Sequence, residues 1–280
     1  MVEVEFPHSK KRFYLPSTLG ECTSKEFQRI SILLLDYFSG VINYEYLKLQ
    51  ITASLLGYEL NNKSTHEGLA NLILISEAVD RYFDLDSENR NSINLEIYDD
   101  KIPFLRTFFR KYYSPGESYE KMTYGQYADA SRFFMMFDKE HNTDYLYTML
   151  AILYTRKNKA YNSKQIDKRV VLFKKYIHPG IAFGVYLLFA AFQKNLSTAE
   201  INWRGETLNL STLFEGATEQ NTEMPGLGPD SLVYTLAEMG ALGKAEEVRS
   251  TNFWEIMLLM YEMKKRDVER EKQTPHASNK

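Results

Sequence analysis

Two stretches of the chain, Thr143–Tyr154 and Ile181–Phe192, carry apolar side chains nearly all the way round a helix of 3.6 residues per turn. A helix without a polar face has to be surrounded by protein, so this pair predicts the centre of a bundle with other helices outside it. Each run is about twelve residues, short of the roughly 20 that span a bilayer, and a buried core helix is the reading that fits.

Amphipathic runs supply the outer layer. Thr23 or Ser24 caps a helix with Glu26 reaching back to the cap, and Phe27, Ile30, Leu33, Leu34, Tyr37 and Phe38 follow at spacings of three and four until Gly40. Tyr44 to Leu56 repeats the pattern, with Leu47, Ile51 and Leu55 on one face and Gly57 as terminator, so the two predict an αα-hairpin. Leu69–Phe83, the run from Tyr124 with Tyr127, Ala130, Phe134 and Phe137, Ser231–Met239 and Asn252–Met263 read as further helices. Pro179 suits the first turn of the Ile181 helix, where its missing N–H costs nothing.

Strand signals are few. Val2, Val4 and Phe6 alternate with Glu3 and Glu5, with a turn at Pro7–Lys10 leading into Arg12–Leu15. Ile93, Leu95 and Ile97 alternate ahead of a turn at Asp99-Asp100, and Ile201–Leu210 reads as a hairpin about Arg204-Gly205. The expected fold is mainly α: a multi-helix bundle with a few short peripheral β-strands. Pro115 and Gly116 mark Tyr112–Lys121 as a loop, which divides an N-terminal hairpin and helical region, 1–111, from a helical body, 122–273. Asn61–Ser64 and Glu215–Asp230 read as loops, and 274–280 as a disordered tail.

Known chemistry leaves little trace. Cys22 is the only cysteine, so no intramolecular disulfide can form and a reducing cytoplasm is the expected compartment. The opening MVEVEFPHSK lacks the basic and apolar regions of a signal peptide. A helix start lowers a thiol pKa, so Cys22 is one reading for a reactive group, although no histidine pattern sits beside it. Gly240–Ala245 has neither the spacing nor the hydroxyl of a P-loop, and Gly226–Pro229 lacks the third glycine of a dinucleotide site. Asp84, Asp86 and Glu88 open like a calcium loop, but Asn89 and Leu95 stand where Gly and Glu are needed. The five histidines share no zinc spacing, and His141 beside Asp138 and Glu140 reads as a solvated helix end. No enzymatic activity, metal or cofactor is expected.

Charge is ordered along the chain although its total is only −3. Between Arg156 and Lys175 eight cations, Arg156, Lys157, Lys159, Lys164, Lys168, Arg169, Lys174 and Lys175, face Asp167 alone, a net +7. Between Leu196 and Glu247 nine acids face Arg204 and Lys244, a net −7. Three readings stand open: two solvated surfaces; a nucleic-acid grip by 156–175 with Tyr154, Tyr161 and Tyr176 stacking on bases; or a head-to-tail assembly joining basic and acidic faces. The low net charge favours assembly over nucleic acid.

The last helix is the other informative element. Phe253, Trp254, Ile256, Met257, Leu259, Met260 and Met263 are bulky, and at Lys264 the chain switches to KKRDVEREK. Phe253, Trp254, Met257 and Met260 are therefore expected to pack on the body or on a partner, with Lys264–Lys272 in solvent. Arg156, Lys157, Lys159, Lys168 and Arg169 complete the residues expected to meet a partner.

Three stretches, LPSTLGECTSKEFQRISILLL, YLYTMLAILYTRKNKAYNSKQIDKR and MGALGKAEEVRSTNFWEIMLLMYEMKKR, together resemble the tail-cluster proteins of Bacteroidetes-type phages and prophages. The first resembles their opening Leu-Pro and capped helix. The second is similar to their apolar helix ending in Leu-Tyr-x-Arg ahead of a polar helix, and the third to their closing Gly-containing turn and aromatic-centred helix. The resemblance implies a non-enzymatic role in virion morphogenesis, as a tail assembly chaperone or accessory structural protein. Expected partners are phage tail components or further copies of the chain, with nucleic acid as the alternative through 156–175 and no membrane.

Overall fold

The computed structural model describes residues 1–5, 12–58, 60, 65–85, 91–196, 200–203, 206–213 and 228–273. Strand β1 (Val2–Glu5) pairs antiparallel with β2 (Arg12–Leu15), setting Val4 opposite Phe13; the turn expected at Pro7–Lys10 lies outside the described residues. Helix α1 (Ser24–Phe38) begins where predicted. Thr23 Oγ1 accepts the Glu26 N–H at 3.3 Å while the Glu26 carboxylate accepts the Thr23 N–H at 2.8 Å, satisfying two backbone donors reciprocally. Helix α2 (Tyr44–Leu56) packs against it as the expected αα-hairpin and ends at Gly57 in the left-handed region, φ 64°.

Helix α3 (His66–Ser76) starts at a Thr65 cap and is shorter than the run Leu69–Phe83 predicts. The chain tightens into a 3-10 turn over Glu77–Tyr82, which buries Val79 and Tyr82, and Phe83 then enters β3 (Phe83–Leu85). Its partner β4 covers only Asn91–Ile93, so the alternation through Leu95 and Ile97 does not extend the strand. The loop Asn61–Ser64 and the calcium-like positions 86–90 lie outside the described residues. Next comes a hairpin absent from the sequence reading, β5 (Phe104–Arg106) with β6 (Lys111–Tyr113). Its turn is closed by Thr107, whose N–H and hydroxyl donate to the Arg110 carbonyl at 2.9 and 3.2 Å.

Helices α4 (Tyr124–Glu140), α5 (Thr143–Leu153), α6 (Ile166–Tyr176) and α7 (Pro179–Leu196) form the body. Beyond them lie β7 (Glu200–Trp203) and β8 (Glu206–Asn209), the predicted hairpin, with its Arg204-Gly205 turn outside the described residues. Helices α8 (Pro229–Glu238), α9 (Ala245–Ser250) and α10 (Phe253–Gln273) complete the chain. Residues 215–227 of the expected acidic loop and the tail 274–280 are outside the described residues. The architecture is mainly α, with the strands confined to small two-stranded sheets.

Helix α7 is the hub, as its apolar circumference requires. One side meets α5, and another meets α1 at a crossing made possible by glycine: a Cβ on Gly180 would sit 2.4 Å from Ile32 Cα. A third side is covered by rings of α4, Phe134 lying on Tyr186 at 4.9 Å, and its far end by α10, where Phe253 meets Phe192 at 5.5 Å. Residues from 1–111 and from 122–273 share one hydrophobic core. The segment 112–121 joins two parts of that core, and its first residues belong to β6.

Among the described residues no helix is long and apolar enough to cross a membrane, and no group of three or more His, Cys, Asp or Glu is placed to hold a metal ion.

Candidate functional site

The cations of 156–175 are divided between two elements. Arg156, Lys157, Lys159 and Lys164 lie on the loop returning from α5, and Lys168, Arg169, Lys174 and Lys175 lie on α6. The base of the loop is fixed to the hairpin β5–β6 by backbone hydrogen bonds between Tyr113 and Thr155, at 2.7 and 3.1 Å. Its far end is held through Tyr161, whose hydroxyl donates to Asp129 at 2.5 Å. Asp129 also accepts from Arg249 at 2.7 Å, and Arg249 bridges to Asp230 at 2.5 Å. The loop is thus clamped against α4, α8 and α9 by a charged knot.

Arg156, Lys157, Lys159 and Lys168 are exposed. Lys174 is engaged by Asp144 at 2.7 Å. Arg169 departs from the expected surface role: it is only 8% exposed. Three residues after Ile166 and four before Phe173, it stands on the face that α6 turns to the core. Its Nη1 and Nη2 donate to the carbonyls of Tyr154 and Asn162 at 3.5 and 3.3 Å, while Nε has no partner among the described residues. Burial lowers its pKa from the ordinary guanidinium value, because desolvation disfavours the charged form.

The tyrosines expected to stack on bases divide unequally. Tyr154 is buried, its hydroxyl donating to the Ile102 carbonyl, and Tyr161 is tied to Asp129. Tyr176 is exposed at the other end of α6. A grip on nucleic acid through this stretch therefore keeps its exposed cations and loses the Tyr154 ring altogether.

The acidic stretch is partly answered within the molecule. Asp230 pairs with Arg249, and Glu247 caps α9 by accepting the Lys244 N–H at 2.7 Å. Glu246 lies in the same open cleft, about 1150 Å³, as Arg156, Lys157, Lys159 and Lys164. Glu215, Glu219 and Glu223 are outside the described residues.

Helix α10 sorts its bulky residues more finely than the sequence does. Phe253 and Met257 are buried, at 0% and 6% exposure, so neither can touch a partner: both belong to the core and not to a binding face. The Phe253 ring lies parallel to Tyr124 at 6.4 Å and against Tyr127 at 4.5 Å. Trp254 and Met260 are half-buried. The indole stands edge-on to Phe192 at 5.9 Å and its Nε1–H donates to the Ser118 carbonyl at 3.0 Å. Lys264 to Arg270 are exposed, as the switch in composition predicts.

Cys22 is not a reactive thiol. It is buried at 1% exposure, and desolvation pushes its pKa up to about 12, the reverse of the helix-start effect. His141 is an exposed C-cap in the left-handed region, φ 53°. Its acidic neighbours turn elsewhere, Asp138 accepting from the Tyr186 hydroxyl and Glu140 from that of Tyr145, each at 2.8 Å.

The most conspicuous surface is one the sequence reading passed over. At the tip of hairpin β5–β6, Phe108 and Phe109 are 73% and 85% exposed, and their rings meet edge-to-face at 4.2 Å. The pairing of Phe104 with Tyr113 puts both rings on the outer face, with Lys111 Nζ 4.7 Å above Phe104, while Leu105 and Tyr112 point into the core. The available signal was a double Phe between Arg106 and Arg110, a pattern with neither helical nor alternating period. Comparison with protein-family models, curated proteins and solved structures returned no match to this chain.

Proposed function

We propose that the chain is a non-enzymatic assembly protein that docks other proteins through the β5–β6 hairpin, in the sense implied by its resemblance to phage tail-cluster proteins: a tail assembly chaperone or a structural accessory. The observation that carries this reading is the Phe108–Phe109 tip. Burying a Phe side chain is favourable by about 1.5–3 kcal/mol, so two rings held in water are a standing affinity for an apolar groove. Because the rings already rest on each other, they present a preformed knob, and docking them loses little side-chain entropy. Phe104 and Tyr113 extend the apolar face along the hairpin, which the Thr155 bridge holds against the body.

Co-expression with the products of flanking genes, followed by size-exclusion chromatography, tests the reading. The wild-type chain should co-elute with at least one of them. The pair Phe108→Ser and Phe109→Ser should leave the melting temperature of the free protein unchanged and weaken the complex by about 2 kcal/mol or more. A double variant that binds as the wild type does, or a wild-type chain that binds none of those products, would overturn it.

A further inference from the structure

A smaller cleft of about 520 Å³ lies between hairpin β5–β6 and the start of α6. Five of the residues lining it are cations, Arg110, Arg156, Lys159, Lys168 and Arg169, and none is acidic. Like charges converging on one concavity repel, and ordinary surfaces relieve this by interspersing carboxylates. Here no carboxylate among the described residues pairs with any of the five.

Arg169 is the informative member. More than nine-tenths of it is buried, its Nε–H donates to nothing described, and its other donors reach only two neutral carbonyls. A buried guanidinium whose charge no anion answers is costly. Tethering of the 156–162 loop explains the two carbonyl bonds. It does not explain why, among the described residues, Nε has no acceptor and the four further cations around it have no carboxylate.

We infer that this cleft binds a phosphorylated small molecule, its phosphates accepting from the exposed rim cations Arg110, Arg156, Lys159 and Lys168 above the buried Arg169 charge. A phosphate monoester carries about 1.5–2 negative charges near pH 7, so five cations match two or three phosphate groups and exceed what a single carboxylate needs. The volume falls within the few hundred to about 1,000 Å³ of ordinary small-ligand sites. Gln165, at the N-cap of α6, lines the same cleft and its side chain caps nothing, which leaves an amide for the ligand. Arg110 directly follows Phe109, so the ligand would sit beside the hairpin tip, but the inference stands whether or not that tip docks a protein.

Calorimetric titration with tripolyphosphate and pyrophosphate, with melting curves alongside, tests it. Wild type should show one saturable site and a melting temperature that rises with tripolyphosphate. Arg156→Ala with Lys159→Ala, both exposed and remote from the core, should weaken binding at least about tenfold, the loss expected from removing charge-assisted contacts. Lys175→Ala, at the other end of α6, should leave affinity within about twofold, since a distant exposed charge is screened. Arg169→Met should lose the ligand-dependent rise in melting temperature; if that variant does not fold, the rim double variant decides alone. No saturable binding by wild type, or equal losses in the Lys175 and rim variants, overturns the proposal. So does a thymidine oligonucleotide that binds more tightly than tripolyphosphate and displaces it, because the cleft would then be part of a nucleic-acid face.

Discussion

Phe253 and Trp254 are neighbours with different tasks, and sequence composition cannot separate them. Both are bulky and both open α10, but Phe253 is enclosed by Tyr124, Tyr127 and Phe192, while Trp254 keeps one face in a cavity of about 630 Å³ and an indole N–H on Ser118. Phe253→Ala should therefore cost about 3–5 kcal/mol, a full ring lost from a closed site. Trp254→Ala should cost about 1–2 kcal/mol, one hydrogen bond and partial burial. Chemical denaturation of the two variants checks the order, and a larger loss for Trp254 would show that α10 is seated differently. Arg169 makes the complementary case. Its place between Ile166 and Phe173 was readable as a cation inside an apolar stripe; counting it with the surface charges of 156–175 hid the periodicity of α6.

At the scale of elements, the structure follows the sequence wherever one residue type has one local use. Thr23 with Glu26, Gly57 and Pro179 each set a helix end by hydrogen bonding or backbone preference, and those ends lie where they were read. Hairpin β5–β6 was illegible because FLRTFFRKYY contains no Gly, Pro or Asn to mark its turn, and its pairing is held by distant partners such as Thr155. The α1–α7 crossing was illegible for another reason: glycine at 180 and 184 is ordinary in sequence and decisive only once Ile32 and Ser31 face it. Gly180→Ala places a methyl 2.4 Å from the Ile32 Cα, a backbone atom that only a shift of α1 can move. The gain in helix propensity, about 1 kcal/mol, should be outweighed, for a net loss of about 2–3 kcal/mol. At Gly184 the nearest atom is the Ser31 side-chain oxygen at 2.8 Å, so Gly184→Ala should lose only about 1 kcal/mol. Thermal unfolding of the two variants reads the difference, and equal losses would mean the crossing relaxes as easily at either point.

At the scale of the whole molecule, one core serves both regions that the loop 112–121 divides in sequence. Pro115 and Gly116 are genuine turn residues, but α1 delivers Ile30 and Leu34 to the buried cluster that α5, α7 and α10 build, and β6 is bridged to Thr155 across the supposed boundary. A domain that folds alone needs a core of its own. Residues 1–111 by themselves would leave the α1 face that meets Gly180 and Gly184 in water, and residues 122–280 would expose the far side of α7. Neither fragment should melt cooperatively when expressed separately. The intact chain should unfold in one transition in which far-ultraviolet circular dichroism and the fluorescence of Trp203 and Trp254 coincide. Both tryptophans follow the loop in sequence, Trp203 in β7 and Trp254 in α10, whereas the dichroism reports helices on either side of it. A fluorescence midpoint above the dichroism midpoint would show that the N-terminal helices separate from the body first, and that α1 is a detachable layer on α7 and not part of its core.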